Sequence, residues 1–292
     1  MTPNETFLML RGGLSRLDNE VTAFTQSQAI DPSPGSQAAD ERARYSRPES
    51  LYTVSGIGVT LLDSVVEHVT LLVRAMTEPI TTFACCTCVR SMLESASIAA
   101  WLFDPKVDAQ KRVGRSYAYL YEGLEEQVKF GRAANVTPDK LKKAEDLMDK
   151  LEHDAVALGF RVISDRNGIR KGIAEQMPSA TNIIKMMLDE EWAYRLLSAV
   201  AHGHNWALLD LGFTQAAVQP PQPSDGALTV AMEKSAGGIL MHAFSVKRAT
   251  KALAVPVWNK CLYFGWDKDQ LAAILESVYD QMSMQPATRF WR

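Results

Sequence analysis

Arg195 and His202 stand seven positions apart in the stretch Tyr194-Arg195-Leu196-Leu197-Ser198-Ala199-Val200-Ala201-His202-Gly203-His204, which is strongly helix-forming up to its glycine. At about 100° per residue, seven steps return to nearly the same helix face. The two side chains therefore point the same way, roughly two turns (~10 Å) apart along the axis. Such a helix offers a permanent cation and a titratable imidazole to one cleft, with Ser198 on the same face between them. That pair suits cleavage of RNA, which carries its own nucleophile in the 2′-hydroxyl. A histidine of near-neutral pKa can accept the 2′-hydroxyl proton or donate one to the leaving oxygen. An arginine supplies a fixed, bidentate clamp for charge developing on the phosphate. The product of that chemistry is a 2′,3′-cyclic phosphate, and it needs neither metal nor cofactor.

The residues around this pair carry functional and plainer readings side by side. Arg195 can simply pair with Glu191 one turn earlier, and His202 can be a hydrogen-bonded core histidine. Arg90 and Glu94 lie one turn apart on an earlier helix, among small and apolar neighbours (Cys85, Cys86, Ala96, Ala99, Ala100). Glu94 is expected to orient Arg195 or His202 from across the bundle. The plainer alternative is an i,i+4 ion pair that contributes a few tenths of a kcal/mol. His204 and Asn205 follow the motif. If the helix continues, His204 lies about 200° round from His202, so the two rings cannot hold one metal, and His204 reads as a boundary residue. The basic segment with Arg161, Arg166, Arg170 and Lys171 offers phosphate contacts, against the reading of a solvated loop. Arg289-Phe290-Trp291-Arg292 sets aromatics between cations, suited to base stacking or to packing on a partner subunit. Trp101, Trp192 and Trp206 can line a small-ligand pocket or fill the core.

Composition narrows the classes. The chain has 292 residues, 47% hydrophobic, enough for a large core in one domain or two small ones. Its formal net charge is -3, so any nucleic-acid contact has to come from a local patch. Cys85, Cys86 and Cys88 cluster and Cys261 stands alone, which fits neither a disulfide framework nor a four-ligand zinc site. Reduced, buried thiols in a cytoplasmic protein are expected. The apolar run Phe7-Leu8-Met9-Leu10 is interrupted by Arg11 and does not form a secretory signal. Residues 57–73 are the most apolar stretch, yet contain Asp63, Glu67 and His68, so no membrane span is expected. Asp63 and Glu67 have no Glu-x-x-His partner of the kind a di-iron site needs.

Helical periodicity dominates the elements that must position these groups. Helices are expected over residues 5–28, 49–76, 78–104, 108–134, 137–159, 189–211 and 267–284. A long helix from about residue 228, bent at Pro256, completes the set. Residues 29–48, rich in Pro, Ser and Gly, read as a linker or mobile loop, as does Gln219-Pro220-Pro221-Gln222-Pro223-Ser224-Asp225-Gly226. A short hairpin fits around Asn167-Gly168. The fold class that follows is an all-α antiparallel bundle of about eight or nine helices.

The Arg195, six residues, His202 arrangement late in such a bundle resembles the HEPN superfamily, whose signature is Arg, four to six residues, then His. Leu196 stands where that family often has a polar residue. The resemblance covers residues 49–212 as the bundle, leaving 1–48 as an N-terminal helix with a flexible linker. Residues 213–292 are then a linker and C-terminal helices packing on the bundle. It implies a metal-independent ribonuclease acting as a homodimer with facing motifs, RNA as the partner, and a toxin or phage-defence role with a neutralising or activating protein. Non-catalytic members also exist, so the alternative is a helical scaffold that mediates dimerisation or partner binding.

Overall fold

The computed structural model describes residues 3–77, 81, 83–215, 232–234 and 237–284. The Arg289–Arg292 cluster, the proline-rich segment at 219–226 and the Glu78-Pro79 helix start lie outside them. Among the described residues the chain forms an all-α helical bundle: eleven helices and two small antiparallel two-stranded sheets. The helices are α1 (Pro3–Ser27), α2 (Gln37–Arg44), α3 (Pro48–Ala75), α4 (Ala84–Leu102), α5 (Ala109–Ala133) and α6 (Pro138–Ala157). They continue as α7 (Ala180–Leu188), α8 (Glu191–Ala201), α9 (Asn205–Gly212), α10 (Gly237–Phe264) and α11 (Lys268–Gln281). Strands β1 (Val162–Ser164) and β2 (Arg170–Ile173) pair antiparallel, as do β3 (Phe213–Gln215) and β4 (Met232–Lys234).

Helix α4 is the axis of the bundle. Its small residues Ala96, Ala99 and Ala100 are fully buried and let neighbouring backbones approach closely. Helices α3, α10, α7 and α8 all pack against it. One continuous apolar cluster runs from Phe7 on α1 to Met282 after α11, so the terminal helices share the core with the central ones. Helix α3 is long and apolar enough to cross a membrane by length and composition. In the fold, Leu51, Val54, Val65, Val69 and Leu72 point into that common core. All four cysteines are buried and none is in a disulfide.

The structure departs from the sequence reading in four places. Residues 29–48 are not a uniform loop: Ser36 caps α2 by accepting a hydrogen bond from the Ala39 amide at 3.2 Å. That helix is anchored by Glu41, which binds the fully buried Arg112 at 3.1 Å and accepts the Tyr263 hydroxyl at 2.8 Å. Residues 180–188 form α7, capped by Ser179, in a stretch between the expected helices. Met232–Lys234 lie in a strand where helix was expected, because β3 supplies a pairing partner. Lastly, the motif helix expected to reach residue 211 stops at Ala201. The hairpin expected at Asn167-Gly168 is the β1–β2 turn, with Gly168 at φ +75° and the Asp165 carboxylate accepting the amides of Asn167 and Ile169.

Candidate functional site

The break after Ala201 shapes the site. Gly203 takes a left-handed φ of +69°. Its amide donates to the Val200 carbonyl at 3.0 Å, and the His204 amide donates to the Ala199 carbonyl at 2.9 Å. Together these form a Schellman closure of the helix end. His202 becomes the last half-turn of α8. The carbonyl of His204 then accepts the amides of Ala207 and Leu208 and starts α9. A continuous helix would set the two imidazoles on different sides, but the chain reversal brings them together. Their ring centroids are 6.3 Å apart at an interplanar angle of 72°.

Arg195, Ser198, His202 and His204 line one open groove of about 290 Å³, with Tyr194 and Trp206 completing its wall. The motif histidine is exposed, not a core histidine, and so is His204. Arg195 does make the pair with Glu191 that its spacing allows, at 2.9 Å. Glu191 also holds Lys185 at 3.0 Å, and the two cations keep its carboxyl below the usual carboxylate range. The Arg195 side chain is 66% exposed. A surface pair of this kind is weak and weakens further with salt. A phosphate can therefore compete for the guanidinium.

Below the groove, α8 meets α4 through two i,i+4 pairs set face to face. Arg90 and Glu94 bridge at 2.9 Å. Arg90 donates through Nε to the Ser198 hydroxyl at 3.1 Å, and Tyr194 donates its hydroxyl to Glu94 at 2.7 Å. Burial first, then the neighbouring Glu94 carboxylate, holds the Tyr194 phenol above its ordinary value, so it stays a donor. The expected role for Glu94 needs correction. Among the described residues its carboxylate is bound by Arg90 and Tyr194, not by Arg195 or His202. It fixes α8 from beneath, and through Arg90 it fixes Ser198. Tyr194 escaped the sequence reading, although Tyr194 and Ser198 repeat the four-residue spacing of Arg90 and Glu94. Two matched polar pairs on helices that must pack together were the available signal.

The remaining candidates are spread elsewhere. Asn205 is exposed at the start of α9. Arg161 precedes β1, Arg166 sits in the hairpin turn, and Arg170 and Lys171 lie on β2, which packs against α5. Arg170 is held by Asp149 at 2.9 Å and Glu152 at 2.8 Å, and Lys171 by Asp165 at 3.7 Å. These carboxylates raise the pKa of Arg170. Two of the four hairpin cations are thus engaged within the fold, while Arg161 and Arg166 are exposed. Trp101 is core, whereas Trp192 and Trp206 are 58% and 55% exposed. Among the described residues, no group of three or more His, Cys, Asp or Glu is placed to hold a metal ion. Family models, characterised proteins and solved structures were each compared with the chain, and none matches it.

Proposed function

We propose that this chain is a metal-independent endoribonuclease of HEPN type, with the groove on α8 as its active site. The observation that carries the reading is the convergence of Arg195, Ser198, His202 and His204 on one solvent-open groove. A phosphodiester seated there meets the Arg195 guanidinium, which neutralises the charge that builds on the non-bridging oxygens. One imidazole takes the 2′-hydroxyl proton as that oxygen attacks phosphorus, and a second protonates the departing 5′-oxygen as the P–O5′ bond breaks. His202 is the first of these groups. His204 supplies the second from the same chain, a role that the Schellman turn makes geometrically available. The products are a 2′,3′-cyclic phosphate and a 5′-hydroxyl, so every atom and proton is accounted for without another reactant.

The groove is small for a folded RNA, and exposed Trp206 on its wall offers an apolar contact. A homodimer with facing motifs would widen it into a channel and double the charge on the substrate. A toxin or phage-defence role, with a protein that restrains or triggers it, follows from the resemblance. The Arg195–Glu191 pair favours the alternative of a non-catalytic scaffold, in which the same surface mediates dimerisation or partner binding. The two readings separate on one experiment. Purified protein is incubated with mixed single-stranded RNA in EDTA beside Arg195→Ala and His202→Ala. Cleavage by the wild type alone supports the nuclease. Equal degradation by all three, or none by any, removes it.

A further inference from the structure

Trp192 precedes Arg195 by three residues on α8, which puts it within about 60° of the same helix face. It opens onto a second, larger groove of about 840 Å³ between the α7–α8 turn, α10 and the loop after α4. That volume falls in the range of small-molecule sites, roughly 300–1,000 Å³. The indole is exposed yet held in place. Arg248 lies 4.7 Å over its ring and Phe244 meets it edge-on at 5.4 Å. Arg248 is itself fixed by the buried Glu190 at 3.2 Å, which also binds Lys251 at 3.3 Å. Asp104, on the groove's other wall, is engaged by Arg115 at 3.3 Å. Lys106 and Lys247 also line the groove, and among the described residues neither has a carboxylate partner. Asp189 is the one lining carboxylate without a cation partner among those residues, so positive charge is in excess here although the chain is net acidic.

A rigid, exposed aromatic beside uncompensated ammonium groups complements a ligand that is both flat and anionic. We propose that this groove seats a nucleotide of the RNA strand next to the one being cut, its base stacked on Trp192 and its phosphate at Lys247 and Lys106. The identity of the strand rests on the ribonuclease reading of the groove that Arg195 lines on the same helix. Lysines are point charges without a planar fork, and an indole stacks on any base, so the subsite holds the strand without reading its sequence. It would also anchor the strand when Arg195 releases Glu191.

The test measures binding apart from cleavage. A labelled eight-nucleotide 2′-O-methyl RNA, which lacks the attacking hydroxyl, is titrated with the full chain by fluorescence anisotropy. Stacking of one base supports roughly a tenfold loss of affinity for Trp192→Ala, with Trp192→Phe within about threefold of wild type. Lys247→Glu should weaken binding at least as much and flatten its salt dependence. An oligomer made wholly of abasic units should bind wild type and Trp192→Ala alike. Circular dichroism melts confirm that each variant is folded. The inference is overturned if the wild type does not bind, or if folded Trp192→Ala binds as the wild type does. It is also overturned if a nucleoside monophosphate binds as tightly as the octamer, which would mark a free-nucleotide pocket. His202-dependent cleavage of natural RNA that persists unchanged in Trp192→Ala and Lys247→Glu removes this subsite and leaves the nuclease. Trp192-dependent binding by a protein that cuts nothing removes the nuclease and leaves the subsite.

Discussion

Replacing Glu41 with Gln removes one charge from a helix whose sequence reads as linker, and the consequence should be large. The Arg112 side chain is fully buried and Glu41 is only 10% exposed. Without the carboxylate, the guanidinium keeps its hydrogen bonds to the carbonyls of Leu102 and Val107 and its place 3.8 Å from the Tyr263 ring centroid. None of those partners carries a compensating charge. Breaking a buried ion pair from one side costs about 3–5 kcal/mol, and the weakened Tyr263 hydrogen bond falls within that figure. With a urea m-value of about 3 kcal/mol/M, the unfolding midpoint drops by more than about 1 M. The asymmetry is the sharper part of the prediction. Adding Arg112→Met to Glu41→Gln removes the stranded charge and should restore about 2 kcal/mol, because uncharged packing often matches a buried pair. Urea unfolding followed by circular dichroism reads both values. A loss below about 1 kcal/mol for Glu41→Gln would mean that water reaches Arg112 and the burial argument fails.

Three further outcomes follow from individual residues. Burial lowers the Lys260 ammonium to about 8 against the opposing pull of Asp63, and the Trp266, Phe264 and Phe103 rings lie 4.6, 5.4 and 5.9 Å from its Nζ. Between that value and the unfolded value near 10.4, the unfolded chain holds more protons, so this group adds stability as pH rises. Relative to Lys260→Met, the wild type should gain about 2.5 kcal/mol from pH 8 to 10.5, measured by denaturant unfolding across that window; a flat difference would refute the depressed value. Gly203→Ala meets nothing within 4 Å of its new Cβ and costs only left-handed backbone strain. That strain is about 1 kcal/mol by thermal unfolding, but cleavage should fall by more than stability does, since the His202–His204 spacing depends on this turn. Tyr194→Phe leaves Glu94 bound to Arg90 while freeing one side of α8. Its kcat should drop roughly tenfold or more with KM near wild type, and an unchanged kcat would show that the α4–α8 network does not position the groove.

Much of this fold is legible in the sequence because its helices are long and punctuated in familiar ways. Pro48 and Pro138 open α3 and α6, Asp108 and Asp267 cap α5 and α11, and the 3.6-residue apolar rhythm supplies their inner faces. What escaped was tertiary. Residues 29–48 look polar and breakable, yet Glu41 serves a buried arginine 71 residues away, which no local pattern announces. Gly203 lies inside the helix expected over 189–211, so the Schellman turn that brings His202 to His204 is not legible from spacing. Arg195 and His202 were legible as one stripe from spacing alone. The Tyr194–Glu94 and Ser198–Arg90 contacts required knowing that α4 faces α8.

If the α8 groove activates a 2′-hydroxyl as proposed, a DNA strand carrying a single ribonucleotide, incubated with the full chain in EDTA, is cut once. The cut falls on the 3′ side of that ribonucleotide, leaves a 2′,3′-cyclic phosphate and a 5′-hydroxyl, and is lost in His202→Ala. Cleavage of the all-deoxy strand, 5′-phosphate ends, or equal cutting by His202→Ala would contradict that chemistry.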